Sequence, residues 1–155
     1  MKTTYINFYN NLIKLTKNKE LYQDFTNQDT FADRLTMFLF HFAFFNQVFK
    51  DKNNAKILQE IYDFSFRQIE LSIREIGYGD QSINKKMKDY INIFHSILSD
   101  VHFWDDLSNT IKKEKLSKYF INFEKIDHLL DYFDNFKQEL LKKTLNSYLK
   151  SVSNP

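Results

Sequence analysis

Cysteine is absent from this 155-residue chain. Disulfides, thiolate zinc sites and cysteine-ligated iron–sulfur clusters are therefore excluded, and the redox compartment carries no mark. The single proline is the last residue, and the only two glycines are Gly77 and Gly79. A chain so poor in turn formers has little room for hairpins or a glycine-rich phosphate loop. Alanine occurs only at 32, 43 and 55, so a helical core has to be built from Phe and Ile. Charge of one sign is also missing. The net charge of +2 argues against a nucleic-acid partner, whose binding domains are strongly basic. The most apolar stretch, Leu35 to Phe49, is broken by Thr36, His41, Asn46 and Gln47. It falls short of the ~20 residues of a membrane span. The first residues lack a signal-peptide core and a transit-peptide composition, so the expectation is a cytoplasmic protein without a transmembrane helix.

What is present is helical periodicity. From Ser82, Ile83, Met87, Tyr90, Ile91, Phe94, Ile97, Leu98 and Val101 make an unbroken stripe, which predicts a helix over about 82–103. Asp80 or Ser82 is expected to cap its start. Residues 54–76 carry two apolar stripes and a narrow polar face containing Arg67 and Arg74. Residues 30–50, capped by Asp29 or Thr30, are apolar almost all round. Such a helix is either the centre of a bundle or has a face awaiting a partner. Further helices are expected at about 4–18, 104–115 and 124–149, with another turn or two at 19–25. The expected fold is all-α: one domain over 1–155, a bundle of six or seven helices without a sheet.

No nucleophile elbow, cysteine nucleophile or phosphate loop occurs, so an enzyme is not expected and no catalytic residue is assigned. The histidines are 41, 95, 102 and 128. His95 and His102 share a helix face two turns apart, about 10 Å along the axis, too far for one ion. No metal or cofactor is expected. His41, inside the Phe-rich segment, reads as a hydrogen-bonded inner histidine. Gly77 has the position of a left-handed helix C-cap. Tyr78 stands at the tip of that turn with Arg74 and Lys85 nearby, a grouping suited to an interface.

The segment Leu71–Lys86, with Arg74-Glu75, Gly77-Tyr78-Gly79-Asp80 and Lys85, resembles a signature of the ubiquinol–cytochrome c chaperone family. The stretch from Phe8-Tyr9-Asn10 through Leu21-Tyr22-Gln23-Asp24-Phe25 and Asp29-Thr30-Phe31-Ala32-Asp33-Arg34 to His41 carries the same likeness. It is clearest over 8–100. The chain departs from the family pattern at Arg67 and Gln68, where acidic residues are common, and at Asn84, where a glycine precedes the lysine. The resemblance implies a non-enzymatic assembly factor for respiratory complex III, with newly made cytochrome b as protein client, and it admits a second small assembly factor. It also implies work at the cytoplasmic face of a bacterial inner membrane. Candidate client contacts are Arg34, Arg67, Arg74, Tyr78 and Lys85, with Phe40 and Phe44 in an aromatic groove. Gly77, Gly79 and Asp80 form the structural turn. Lys85, Lys86, Lys88, Lys112, Lys113 and Lys115 are candidates for weak attraction to anionic lipid. The alternative, from the aromatic surplus, is a helical protein binding haem, quinone or lipid between its helices.

Overall fold

The computed structural model describes residues 2–17, 21, 31–121, 123 and 125–149. Among the described residues seven α-helices run in the order α1 (Lys2–Thr16), α2 (Phe31–Phe49), α3 (Ala55–Ile76), α4 (Asp80–Val101), α5 (Asn109–Tyr119), α6 (Ile126–Leu141) and α7 (Leu145–Tyr148). There is no sheet among the described residues. The expected caps at Asp29 and Thr30, and most of the expected turn at 19–25, lie outside the described residues.

α2 is the centre of the bundle. Every residue from Met37 to Phe45 is buried. On one side Phe8 of α1 packs against Phe42 and Phe45, with ring centroids 5.7 and 4.6 Å apart. Phe94 of α4 stacks on Phe42 at 4.9 Å. On the far side Phe44 stacks on Phe133 of α6 at 5.4 Å and meets Trp104 edge-on at 5.3 Å. Tyr148 of α7 closes over Phe45 at 5.3 Å. The offset and edge-on arrangements suit the ring quadrupole, worth about 0.5–1.5 kcal/mol per pair beyond area burial. A helix with no polar stripe has found neighbours all round.

Most polar groups inside are matched, the buried Ser65 hydroxyl being an exception without a partner. His41 is fully buried; its Nδ1 lies 2.7 Å from the Met37 carbonyl and its Nε2 2.5 Å from the Tyr132 hydroxyl. A carbonyl can only accept, so Nδ1–H donates and Nε2 accepts the hydrogen bond of the Tyr132 hydroxyl. Burial pushes the Tyr132 hydroxyl well above its usual range, which keeps it a donor. Asp100 of α4 accepts from Lys115, Lys118 and Tyr119 of α5, at 3.0, 2.9 and 2.5 Å. Burial pushes its carboxyl up, but those three hydrogen bonds outweigh it and the net shift is down. The Trp104 indole donates to Asp134 of α6 at 2.8 Å, and Lys137 of α6 reaches Asp105 at 2.8 Å.

Two boundaries differ from the sequence expectation. The helix expected over 104–115 is a 3-10 turn at Trp104–Asp106 followed by α5. Ser108 begins α5 by accepting the Ile111 N–H at 3.2 Å. The helix expected over 124–149 breaks at Lys142, with Thr144 in extended backbone before α7. Gly77 has φ 105° and is the left-handed C-cap of α3, its N–H donating to the Arg74 carbonyl at 3.0 Å. Gly79 has φ −72°, which any residue can adopt, and it occupies the N-cap of α4 itself. No side chain caps α4, so neither Asp80 nor Ser82 plays that role.

A Cβ at Gly77 meets nothing within 4 Å, so only backbone strain opposes a side chain there. Gly77→Val should cost roughly 1–2 kcal/mol, whereas Gly79→Ala should be near neutral. Urea melts of the two variants check this. His41 gives a second expectation. Burial lowers its value from 6.5 to about 4. The unfolded chain therefore takes up a proton as pH falls through 6.5, while the fold resists until about 4. Stability is lost across that window, by about 2–3 kcal/mol between pH 7 and 4.5. Urea midpoints should fall over that range, and His41→Gln, which cannot titrate, should flatten the slope.

Candidate functional site

α3 and α4 form an antiparallel pair joined by the Gly77 turn, and this hairpin presents two distinct surfaces. The first is the turn end. On α3, Arg67, Leu71 and Arg74 are spaced four and three apart and share one face, opposite the buried row Leu58, Ile61, Ser65, Ile69 and Ile73. Leu71 is 43% exposed, and Ile76 and Tyr78 beyond it are 51% and 42% exposed. Lys86 lies over the Tyr78 ring at 4.5 Å, a cation–π contact that orders the aromatic tip. Arg74 donates to Asp80 across the turn at 2.9 Å and has Glu70 at 3.9 Å. These are exposed pairs and hold the turn weakly. Arg67, Lys85 and Lys88 are exposed and carry no ion pair among the described residues. The turn end therefore combines apolar side chains with cations whose donors are partly uncommitted.

Arg34 stands exposed in the first turn of α2. It borders a small crevice of about 130 Å³ that also includes Tyr9, Phe38, Ile69 and Ser72. Ile69 and Ser72 belong to the second half of α3, so Arg34 comes to the same end of the bundle as Arg74 and Tyr78. Asp29, its expected neighbour, lies outside the described residues.

Phe40 and Phe44 are not part of any groove. They are 1% and 0% exposed. Phe40 packs against Tyr119, Phe120 and Phe133 at 5.1–5.4 Å. The helices that follow α4 cover the face of α2 that the sequence left open. Three candidate membrane lysines are likewise engaged. Lys112 is buried beside Asp134 at 3.3 Å, Lys115 binds Asp100 at 3.0 Å, and Lys113 pairs with Asp127.

The second surface is a groove at the other end of the hairpin, which sequence reasoning did not assemble. It holds about 870 Å³ and lies between the end of α2, the start of α3 and the end of α4. Leu58, Tyr62, Phe94 and Leu98 give it apolar walls, and Lys50, Asp51, Lys52, His95 and His102 rim it. The Tyr62 hydroxyl lies 3.3 Å from His95 Nε2. A smaller recess continues past His102 to Phe103, which is 63% exposed. The two histidines were visible in the sequence, but only the fold places Lys50 and Tyr62 beside them. No cluster of three or more metal-ligating side chains occurs among the described residues.

A central Phe-rich helix, covered on all sides and flanked by an exposed helical hairpin, defines an all-α bundle whose free chemistry lies on the α3–α4 pair. The family model for the ubiquinol-cytochrome C chaperone matches residues 23–102, just over half of the chain, and the chain belongs to that family. The matched span holds α2, α3, α4, the Gly77 turn and the groove; α5 to α7 lie beyond it. Neither a curated protein nor a solved structure matches the chain. No helix among the described residues is long and apolar enough to cross a membrane.

Proposed function

We propose that this chain is a non-enzymatic assembly chaperone that binds newly made cytochrome b through the turn end of its α3–α4 hairpin. The observation that carries the reading is the coincidence of two things. The family match spans this hairpin. The same hairpin leaves Leu71, Ile76 and Tyr78 exposed among Arg67, Arg74 and Lys85. A membrane-protein client offers apolar helix ends beside charged loops. Exposed aromatic and aliphatic side chains supply contact area, and arginine forks and lysines supply pairing to carboxylates or to phosphates at the bilayer surface.

The bundle works as a rigid support for that surface. The turn is set by one left-handed glycine and a weak salt bridge, so its cations are held in place with little of their hydrogen-bonding capacity used. A client carboxylate can displace Asp80 from Arg74 at small cost, because both partners are already solvated. Peripheral contact at the cytoplasmic face of the inner membrane follows the same logic. Lys85 and Lys88 remain exposed and unpaired among the described residues, and Lys86 is partly free above Tyr78. Each well-placed cation adds about 1 kcal/mol of attraction to anionic lipid.

The expected outcome of Arg67→Ala, Arg74→Ala and Lys85→Ala combined is a several-fold fall in co-purifying cytochrome b and in its accumulation. The melting temperature should stay within a few degrees of wild type, since exposed pairs contribute at most about 1 kcal/mol each. Measuring both quantities on the same variant decides the matter. Loss of stability in proportion to loss of client would assign these residues to the fold instead.

A further inference from the structure

The groove at the far end of the hairpin stands apart from the proposed client surface and has the shape of a site for one more helix. Its two walls are antiparallel helices. α3 offers Ala55, Leu58, Gln59 and Tyr62. α4 offers Phe94, His95, Leu98 and His102. On each wall these side chains recur at three-to-four spacing over about two helical turns, roughly 10–12 Å. Leu58 and Phe94 are buried and form the floor. Tyr62 touches Phe94, with ring centroids 5.8 Å apart, and its hydroxyl lies 3.3 Å from His95 Nε2, which closes the inner end. The outer end runs on past Leu98 to the exposed Phe103. The groove is thus an open trough with an apolar floor, suited to a segment laid along it and not to a small molecule inserted between its walls.

The rim carries charge of one sign that is still uncommitted. Lys50 and Lys52 are exposed and form no ion pair among the described residues. The one carboxylate in the lining, Asp51, is spent on Asn54: it accepts the backbone N–H at 2.8 Å and lies 3.5 Å from the side-chain amide. That amide also donates to the Phe49 carbonyl at 2.9 Å, so the two lysines ride on a braced loop. Gln47 donates to the His102 carbonyl at 3.0 Å and ties the end of α2 to the end of α4. We propose that this trough binds an amphipathic α-helix of a partner protein, its apolar stripe laid on Tyr62, Leu98 and Phe103 and its acidic side chains facing Lys50 and Lys52. The walls are helical and offer no sheet edge, so the occupant packs side chain against side chain, with axes about 8–10 Å apart. Charge complementarity selects the sign: two lysines without partners receive a helix whose stripe is flanked by Asp or Glu.

The test is a fluorescence-anisotropy titration of the full chain with two labelled synthetic peptides. Both are helix-stabilised and carry Leu at i, i+3, i+4 and i+7; one flanks that stripe with Glu, the other with Lys. The acidic peptide should saturate at one equivalent, gain helical dichroism on binding, and bind at least tenfold more tightly than the basic one. Lys50→Glu with Lys52→Glu should abolish or reverse that preference, and Phe103→Ser should weaken the acidic peptide at least threefold. All three positions are exposed, so the variants should melt as wild type does. The Arg67, Arg74 and Lys85 variant should bind the acidic peptide as wild type does, so this account and the client account fail separately. Equal affinity for the two peptides, an unchanged preference in the lysine variant, or no saturable binding overturns the proposal. Binding to phosphatidylglycerol vesicles that needs Lys50 and Lys52 while neither peptide binds would give the surface to lipid, and dimerisation abolished by Phe103→Ser would give it to a second copy; either result overturns the proposal as well.

Discussion

Burial of α2 is the constraint on which the rest of the structure depends. Its middle, Met37 to Phe45, carries aromatic side chains on every turn and has no face that water tolerates. Each large apolar side chain taken from water contributes roughly 1.5–3 kcal/mol, so the lowest free energy requires neighbours on all sides. The remaining helices supply them. α1 and α4 cover the Phe42 and Phe45 side. The 3-10 turn, α5 and α6 cover Phe40 and Phe44. Because phenylalanine is long and flat, adjacent helices meet by ring stacking and edge contacts instead of the close alanine-mediated approach that this composition does not allow.

That arrangement determines what is left for partners. With its inner face spent on α2 and α1, the α3–α4 hairpin has only its outer face and its two ends to offer. At one end the left-handed Gly77 reverses the chain and projects Ile76 and Tyr78 beyond the last buried turn. At the other, α3 and α4 stand on either side of the end of α2, and the space between them is the groove. The ends are separated by about 24 Å of helix, taking Tyr62 to Tyr78 at 1.5 Å per residue.

Much of the fold was legible in the sequence because helices announce themselves by period. α2, α3 and α4 lie within two residues or so of the apolar stripes that predicted them, and the positive φ at Gly77 follows from glycine scarcity in a helical chain. The C-terminal third was less legible for a physical reason. α5 has no apolar stripe: it is fastened by Lys112, Lys115 and Lys118 to carboxylates on α4 and α6, and such pairs leave no periodic trace. The break after Leu141 carries neither Gly nor Pro. The site was legible only where its parts are adjacent in the chain. Arg74, Tyr78 and Lys85 sit around one turn and were found together. Phe40 and Phe44 were misplaced because a helix apolar all round gives no sign of which face a later segment will cover. The groove joins residues from three helices, and the pairing of Tyr62 with His95 is a product of tertiary structure alone.

The central claim is that the turn end of the hairpin, and not apolar surface in general, receives the client. A photo-cross-linking side chain placed at Tyr78 tests it most directly in cells making cytochrome b. Ile121 is the matched control. It is 84% exposed and lies two residues beyond Tyr119, which is bonded to Asp100 at the opposite end of α4. The account predicts a cross-link to cytochrome b from position 78 and none from position 121. Equal cross-linking from both positions, or capture only from position 121, would contradict it.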